Sequence, residues 1–287
     1  MKFRVTPSFS IHIHKKDILL LEGIKNTLGV GKVRKNSETT ALFRVDNIKE
    51  LQVIIDHFKK YPLISAKYSD FLLFEQCYNL IKQKQHLTQA GFEQILSFKY
   101  NLNEGLSEAL KKGYPHIEPV DRPEFQLKCI PDPFWISGFV SGDSTFSVSI
   151  EKSRNKLGKR VRLIFGTNLH IRDKEVLLAM ANYFNSLVSF HKIEIDKNLI
   201  SGEKYIYDTE TTSLFQIKNY TVIINKIIPG YFLISKYPIL GVKSLDFEDF
   251  KKIAFLMANK EHLTPEGMSR IIAIVSSMNL DRNTGPK

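Results

Sequence analysis

The chain repeats itself. "KYPLISAKYSDFLLFEQCYNLIKQKQHLTQAG", 60 to 91, aligns without a gap on "KYPILGVKSLDFEDFKKIAFLMANKEHLTPEG", 236 to 267, and His86 and His262 set a constant offset of 176 residues. Lys60, Tyr61, Pro62, Lys67, Asp70, Phe71, Phe74, His86, Leu87, Thr88 and Gly91 recur as identical residues. Upstream, Arg4, Val5, Phe9, His14 and Asp17 meet Arg160, Val161, Phe165, His170 and Asp173. The offset there is smaller by about 20 residues, so the second copy carries an insertion of that size between its two blocks. Self-similarity of this length points to two related units, and 287 residues suffice for two modest cores.

The first copy is incomplete. In the second, the 28 residues from Asp132 to Lys159 precede Arg160, whereas only Met1 to Phe3 precede Arg4. Roughly 25 residues of the first unit therefore have no counterpart. The unmatched stretch contains "FWISGFVSGDSTFSVSI", Phe134 to Ile150, an apolar, glycine- and serine-rich run that ends on Asp143 and continues into a strand. The expected organisation is a first unit over 1–112, a polar, proline-punctuated linker over 113–131, and a second unit over 132–287 with a helix at 133–143.

Each unit alternates strand and helix periods. "FRVTPSFSIHIH" puts Val5, Phe9, Ile11 and Ile13 on one face and Arg4, Thr6, Ser8, Ser10 and His12 on the other. "VRLIFGTNLH", "ALFRVDN" and "LFQIKN" also have the strand character. "KKDILLLEGIKNTLG" and "RDKEVLLAMANYFN" have helical periodicity, the first closing on Gly29. "HLTQAGFEQILSF" and "HLTPEGMSRIIAI" start on threonine caps, the second with Pro265 at its first helical position. The fold class this predicts is α+β: two pseudo-symmetric units, each an antiparallel sheet backed by helices.

A net charge of +11 gives long-range attraction for polyanions, and nucleic acid is the commonest polymer that can use it. No apolar run approaches the roughly 20 residues needed to cross a bilayer, which disfavours a membrane protein. Cys77 and Cys129 are too few for a disulfide framework and lack metal-ligand spacing. "HIH" at 12 to 14 invites a metal, but only His14 has a copy in the second unit, which favours a phosphate, base or surface role.

Within "WISGFVSGD", Ser137, Gly138, Ser141 and Gly142 fall on one helical stripe, which would let another helix approach closely. A partner helix would end beside Asp143, and two carboxylates there would repel unless divalent cations such as Mg²⁺ neutralised them. Taken alone, Asp143 could equally cap the strand or pair with a lysine. On the following strands Thr145, Ser147 and Ser149 alternate with Phe146, Val148 and Ile150, and Arg160 and Arg162 alternate with Val161 and Leu163. Arg44 and Gln216 lie on the same kind of polar face, one suited to base edges in a major groove.

"WISGFVSGDSTFSVSI" resembles the second signature helix and strand of the LAGLIDADG homing endonucleases, of the single-chain, two-repeat type encoded in fungal mitochondrial introns. "FSIHIHKKDILLLEGIKNTLGVGKV", "HFKKYPLISAKYSDFLLF", "KQHLTQAGFEQIL" and "PVDRP" are also similar to segments of that family, so the resemblance covers nearly the whole chain. It implies a monomeric, mitochondrial, organelle-encoded enzyme that lays two sheets over double-stranded DNA and hydrolyses phosphodiesters with Mg²⁺ or a similar cation. Asp143 and the Gly142 carbonyl match metal-holding positions, Lys218 matches a basic position near the scissile phosphate, and Asn168 matches a solvent-orienting polar position. Two departures stand out: Ser144 follows the acid where the family usually has glycine, and the "GTNLHIRD" strand lacks the glutamine often found beside the metal. The first signature helix is missing, so a reading frame that begins upstream and a decayed copy remain as alternatives. The resemblance also implies a non-cleaving alternative, an intron RNA maturase. A repressor-like DNA binder is a third reading.

Overall fold

The structure, a computed structural model, describes residues 3–125, 127, 129–186, 205–232 and 237–279. The chain divides into two compact units, Met1–Gln126 and Leu127–Lys287. Most of the insertion expected in the second unit falls outside the described residues, and so does Lys236.

In the first unit, β1 (Phe9–His14) leads through a 3-10 turn to α1 (Ile18–Leu28), then β2 (Lys32–Lys35), β3 (Thr40–Val45), α2 (Ile48–Lys60), α3 (Lys67–Lys82), α4 (Gln89–Tyr100) and α5 (Glu108–Gly113). The antiparallel sheet runs β1-β3-β2. Phe9, Ile11 and Ile13 pair with Val45, Phe43 and Ala41 and face a core that includes Leu21, Leu51, Ile54, Ile55 and Tyr78. Gly29 closes α1 at φ 70°, where a side chain would be strained. Asn47 caps α2 by accepting from the Lys49 and Glu50 amides.

Arg4, Thr6 and Ser8 keep the expected in-out alternation but precede β1. Phe9↔Val45 is the last pair, because β3 then turns through Asp46 into the Asn47 cap and leaves residues 4–8 no strand to bond. The segment expected to act as a linker is docked on the first unit as far as Phe125. Arg122 donates to the Asn101 and Ala66 carbonyls, pairs with the buried Asp70 at 2.8 Å, and Phe125 packs on Tyr68.

In the second unit, α6 (Pro133–Asp143) runs directly into β4 (Ser144–Lys152), followed by β5 (Lys159–His170), α7 (Lys174–Ser186), β6 (Ile206–Asp208) and β7 (Thr212–Ile217). The short α8 (Tyr220–Val222) continues as a π-helical segment, Ile223–Phe232, before α9 (Lys243–Ala258) and α10 (Pro265–Val275). The antiparallel sheet runs β4-β5-β7-β6. Its inner face stacks Phe146 on Phe165 at 5.1 Å, Phe165 meets Phe215 edge-on at 6.1 Å, and Phe247 and Phe250 of α9 close on Phe146. Such contacts stabilise beyond area burial alone.

The repeat identities now have causes. Thr88 and Thr264 cap α4 and α10 by accepting from the Gly91 and Gly267 amides. A Cβ on either glycine would lie 2.1 Å from the Gln85 carbonyl or 2.0 Å from that of Glu261. His14 and His170 each accept the amide two residues on, at 3.2 Å, so their shared role is a turn cap.

Candidate active site and nucleic-acid interface

Helix α6 starts on Asp132, which accepts the Phe134 amide at 2.7 Å, with Pro133 in the first turn. Ile136 and Val140 are buried, so the helix is anchored by one apolar side. The stripe of four small residues divides. Ser137 donates to the Pro238 carbonyl, and the Ser141 hydroxyl accepts the Leu240 amide at 2.9 Å while donating to the Ser137 carbonyl at 2.7 Å. Both serines are thus engaged within their own unit, while Gly138 and Gly142 are exposed and a Cβ at either would meet nothing within 4 Å. Of the apolar side chains on α6, Phe134 is the one left 53% exposed.

Asp143 ends α6 and abuts β4, whose first pair is Ser144↔Thr167. Ser144 is buried and its hydroxyl bonds that of Thr167, which accounts for a serine where the resembled family usually has glycine. Asn168 follows Thr167 on β5, beside the end of α6, and is exposed. Asp143 is itself exposed, yet neighbouring atoms strip enough water to push its carboxyl pKa up, against the pull of the Lys243 ammonium. The negative end of the helix dipole acts in the same upward direction. Lys243, at the start of α9, donates to the Ser144 carbonyl at 2.6 Å.

Lys218 does not occupy this place. It leaves β7 one residue beyond the Phe165↔Ile217 pair, whereas Asn168 lies one residue beyond Ser144↔Thr167 in the other direction. Four residues of β5 separate the two rows, on the order of 13 Å. Lys218 is an exposed side chain farther along the sheet; the cation beside Asp143 is Lys243. The sequence held a signal for it, since Lys67 and Lys243 are identical across the repeat.

The polar face of the second sheet is in register. Thr145, Gly166 and Gln216 form one row across three strands, and Ser149 faces Arg162. Gly166 is required there, because a Cβ would lie 2.9 Å from the Phe215 carbonyl. Thr145 and Arg160 are exposed; Ser147, Ser149, Arg162 and Gln216 are half-buried. Glu151, next in the polar series Thr145, Ser147 and Ser149, pairs with Arg162 at 3.1 Å and accepts from Ser149 at 3.3 Å. In the first unit Ser10 and Lys32 flank Arg44 in one row, His12 is exposed, and Arg44 pairs with Asp46 at 3.4 Å.

Among the described residues no group of three or more His, Cys, Asp or Glu could hold a metal. One exposed carboxylate suits a hard cation whose remaining ligands are phosphate oxygens and water, not an all-protein cage. No helix among the described residues is long and apolar enough to cross a membrane.

A helix that ends on an acid and passes directly into a sheet with a polar outer face is the arrangement the sequence resemblance implied, and the family model described as LAGLIDADG endonuclease matches residues 1–78 and 136–254. The chain belongs to the LAGLIDADG endonuclease family. It is similar to the LAGLIDADG meganuclease I-CpaMI, solved bound to uncleaved DNA, at 41% identity and a TM-score of 0.86, covering 96% of this chain and 89% of that one. It is also similar to the LAGLIDADG homing endonuclease I-SmaMI, solved bound to cleaved DNA, at 36% identity and a TM-score of 0.87, covering 98% of this chain and 88% of that one. I-SmaMI has also been solved on an uncleaved DNA target in the presence of calcium ions. A probable intron-encoded endonuclease 3 of Neurospora crassa is 34% identical over 94% of this chain, which covers 48% of that relative. A second Neurospora crassa relative, probable intron-encoded endonuclease 2, is 32% identical, and this chain covers 59% of it. The chain thus spans about half the length of these curated relatives.

Proposed function

We propose that the protein is an intron-encoded, site-specific endonuclease that hydrolyses phosphodiesters of double-stranded DNA with a divalent cation, Mg²⁺ in the cell, and acts as a monomer in mitochondria. The observation that carries this reading is Asp143 at the helix-to-strand junction, beside the Lys243 ammonium and at the edge of an ordered polar sheet face. The fungal intron-encoded relatives and the DNA-bound structural neighbours support it.

In this reading Asp143, with the Gly142 carbonyl, would hold the cation, which would lower the barrier by polarising a phosphate oxygen. Asn168 orients the attacking water. Lys243 offsets negative charge that builds on the phosphate. Thr145, Ser147, Ser149, Arg160, Arg162 and Gln216 of the second unit, and Arg4, Thr6, Ser8, Ser10, His12 and Arg44 of the first, contact the duplex. The net charge of +11 supplies the sequence-independent part of affinity, which should fall steeply with salt.

The test is cleavage of a duplex spanning the joined exons of the host intron, with Mg²⁺, by this chain and by a form extended upstream in frame. Asp143→Asn and Lys243→Met should each lower the single-turnover rate by roughly 10²-fold or more while leaving DNA binding in Ca²⁺ intact. Undiminished cutting by both variants would refute the site; no cutting by the extended form would refute the enzyme.

A further inference from the structure

Among the described residues, strand β4 is an edge of its sheet and pairs with β5 alone. Its outward carbonyls would be left without partners, and those at Ser144 and Phe146, two residues apart, point the same way. Side chains from elsewhere take both. Lys243 donates to the Ser144 carbonyl at 2.6 Å, and Asn279 Nδ2 donates to the Phe146 carbonyl at 3.2 Å. The Asn279 amide in turn donates to the buried Asp246 carboxylate at 2.9 Å, one helical turn beyond Lys243 on α9. Helix α9 is thus tied to the β4 edge twice, directly through Lys243 and by way of Asp246 and Asn279.

This requires an unusual backbone. Asn279 has φ 56°, in the left-handed region that asparagine tolerates better than other side-chain-bearing residues. Its repeat equivalent at the offset of 176, Asn103, is also asparagine and has φ 54°. There the asparagine meets the equivalent lysine–aspartate turn by a different bond: Lys67 lies 3.1 Å from Asp70 and donates to Asn103 Oδ1 at 3.4 Å. Two left-handed asparagines at matching repeat positions, one bonded to the lysine and the other to the aspartate of the same lysine–aspartate turn at the start of a helix, point to a common geometric demand.

We propose that Asn279 is a positioning residue: by tying α9 to the edge of β4 it fixes the Lys243 ammonium relative to Asp143, the residue immediately before that edge. The role rests on the reading of Asp143 and Lys243 as the catalytic pair. Loss of the Asn279 side chain frees α9 to shift along β4, and Lys243 leaves the Ser144 carbonyl for solvent. In the first unit, Asn103 holds Lys67 by accepting from its ammonium directly.

The experiment uses the full chain without DNA. Lysines are acetylated with a limiting dose of an N-hydroxysuccinimide ester and the rate at each is read by mass spectrometry. Lys226 is the internal reference, because it is buried in the same unit and donates to the Asn185 carbonyl at 3.2 Å, away from this connection. Asn279→Gly keeps the left-handed backbone and the bond to Asp246 but removes the donor to Phe146; Asp246→Asn weakens the other link and serves if the first variant does not fold. Each should raise acetylation of Lys243 several-fold relative to Lys226. Unchanged Lys243 labelling, or a parallel rise at Lys226 that marks general loosening, would overturn the positioning role. Neither result depends on turnover, so both are distinct from undiminished cleavage by Lys243→Met, which would sink the catalytic reading instead.

Discussion

Replacing Glu151 by Gln should blur DNA sequence discrimination without unfolding the protein. Arg162 lies opposite Ser149 on the polar face, its NH2 group held 3.1 Å from Glu151, which is braced by Ser149 at 3.3 Å. Arg162 Nε is buried with no hydrogen-bond partner among the described residues, so this guanidinium is directed chiefly by Glu151. A well-placed bidentate arginine contributes about 1–3 kcal/mol of discrimination for guanine. That is roughly 5- to 150-fold in relative affinity. Arg162→Gln should remove this preference at one base pair. Glu151→Gln, which leaves the arginine but releases its direction, should lose a large part of it at the same base pair. With Glu151 41% exposed, the pair contributes only about 0–1 kcal/mol to folding, so thermal stability should barely move. The assay is selection from a randomised duplex library in Ca²⁺, comparing base frequencies position by position. Wild-type specificity retained by both variants would refute the assignment of this face to base readout; an effect at different base pairs for the two would refute the coupling.

Other outcomes follow from the geometry. Gly267→Ala should destabilise by several kcal/mol, measured by urea unfolding, because its methyl would meet the Glu261 backbone carbonyl at 2.0 Å and that atom belongs to the turn capped by Thr264. Burial pushes the Cys77 thiol up to about 12, whereas Cys129 is exposed, so a thiol reagent at pH 8 should modify one cysteine of the native chain and the second only after denaturation. The hydrogen bond from Lys174, with a second from Ser213, lowers the Asp208 carboxyl pKa. A depressed folded-state pKa gives stability that is present above the ordinary carboxylate range and lost as pH falls through the lowered value. Lys174→Met should therefore flatten the acid limb of a pH–stability profile; an unchanged limb would remove that pair from the account.

The repeat carries most of the fold into view. Offsets of identical residues locate both threonine caps and both capped glycines, and the α6–β4 junction stands out as the stretch without a counterpart; each cap depends on local chemistry that leaves a residue type behind, a hydroxyl at a helix start or a missing Cβ where a carbonyl passes within about 2 Å. What the repeat does not carry is proximity across elements. Lys218 is plausible by its place after a strand, but strand register is a tertiary property, and the register carries it away from Asp143. Lys243 sits 100 residues beyond Asp143 in the chain and reaches it only because α9 packs against β4.

Alternation puts Glu151 on the polar face but, by the same distinction, hides its role, and it hides Asn279 altogether. An acid on a strand meant to meet DNA looks like a misplaced charge until the register shows which arginine it holds. An asparagine past the last helix looks like a chain end until its φ of 56° and its two donors are known. Yet the asparagine is marked in the sequence: Asn103 and Asn279 obey the offset of 176 that aligns the rest, as do Lys67 and Lys243. Identity retained between two copies whose surroundings have diverged marks residues held by a geometric demand common to both. In this chain both copies set a left-handed asparagine against the lysine–aspartate turn that starts a helix.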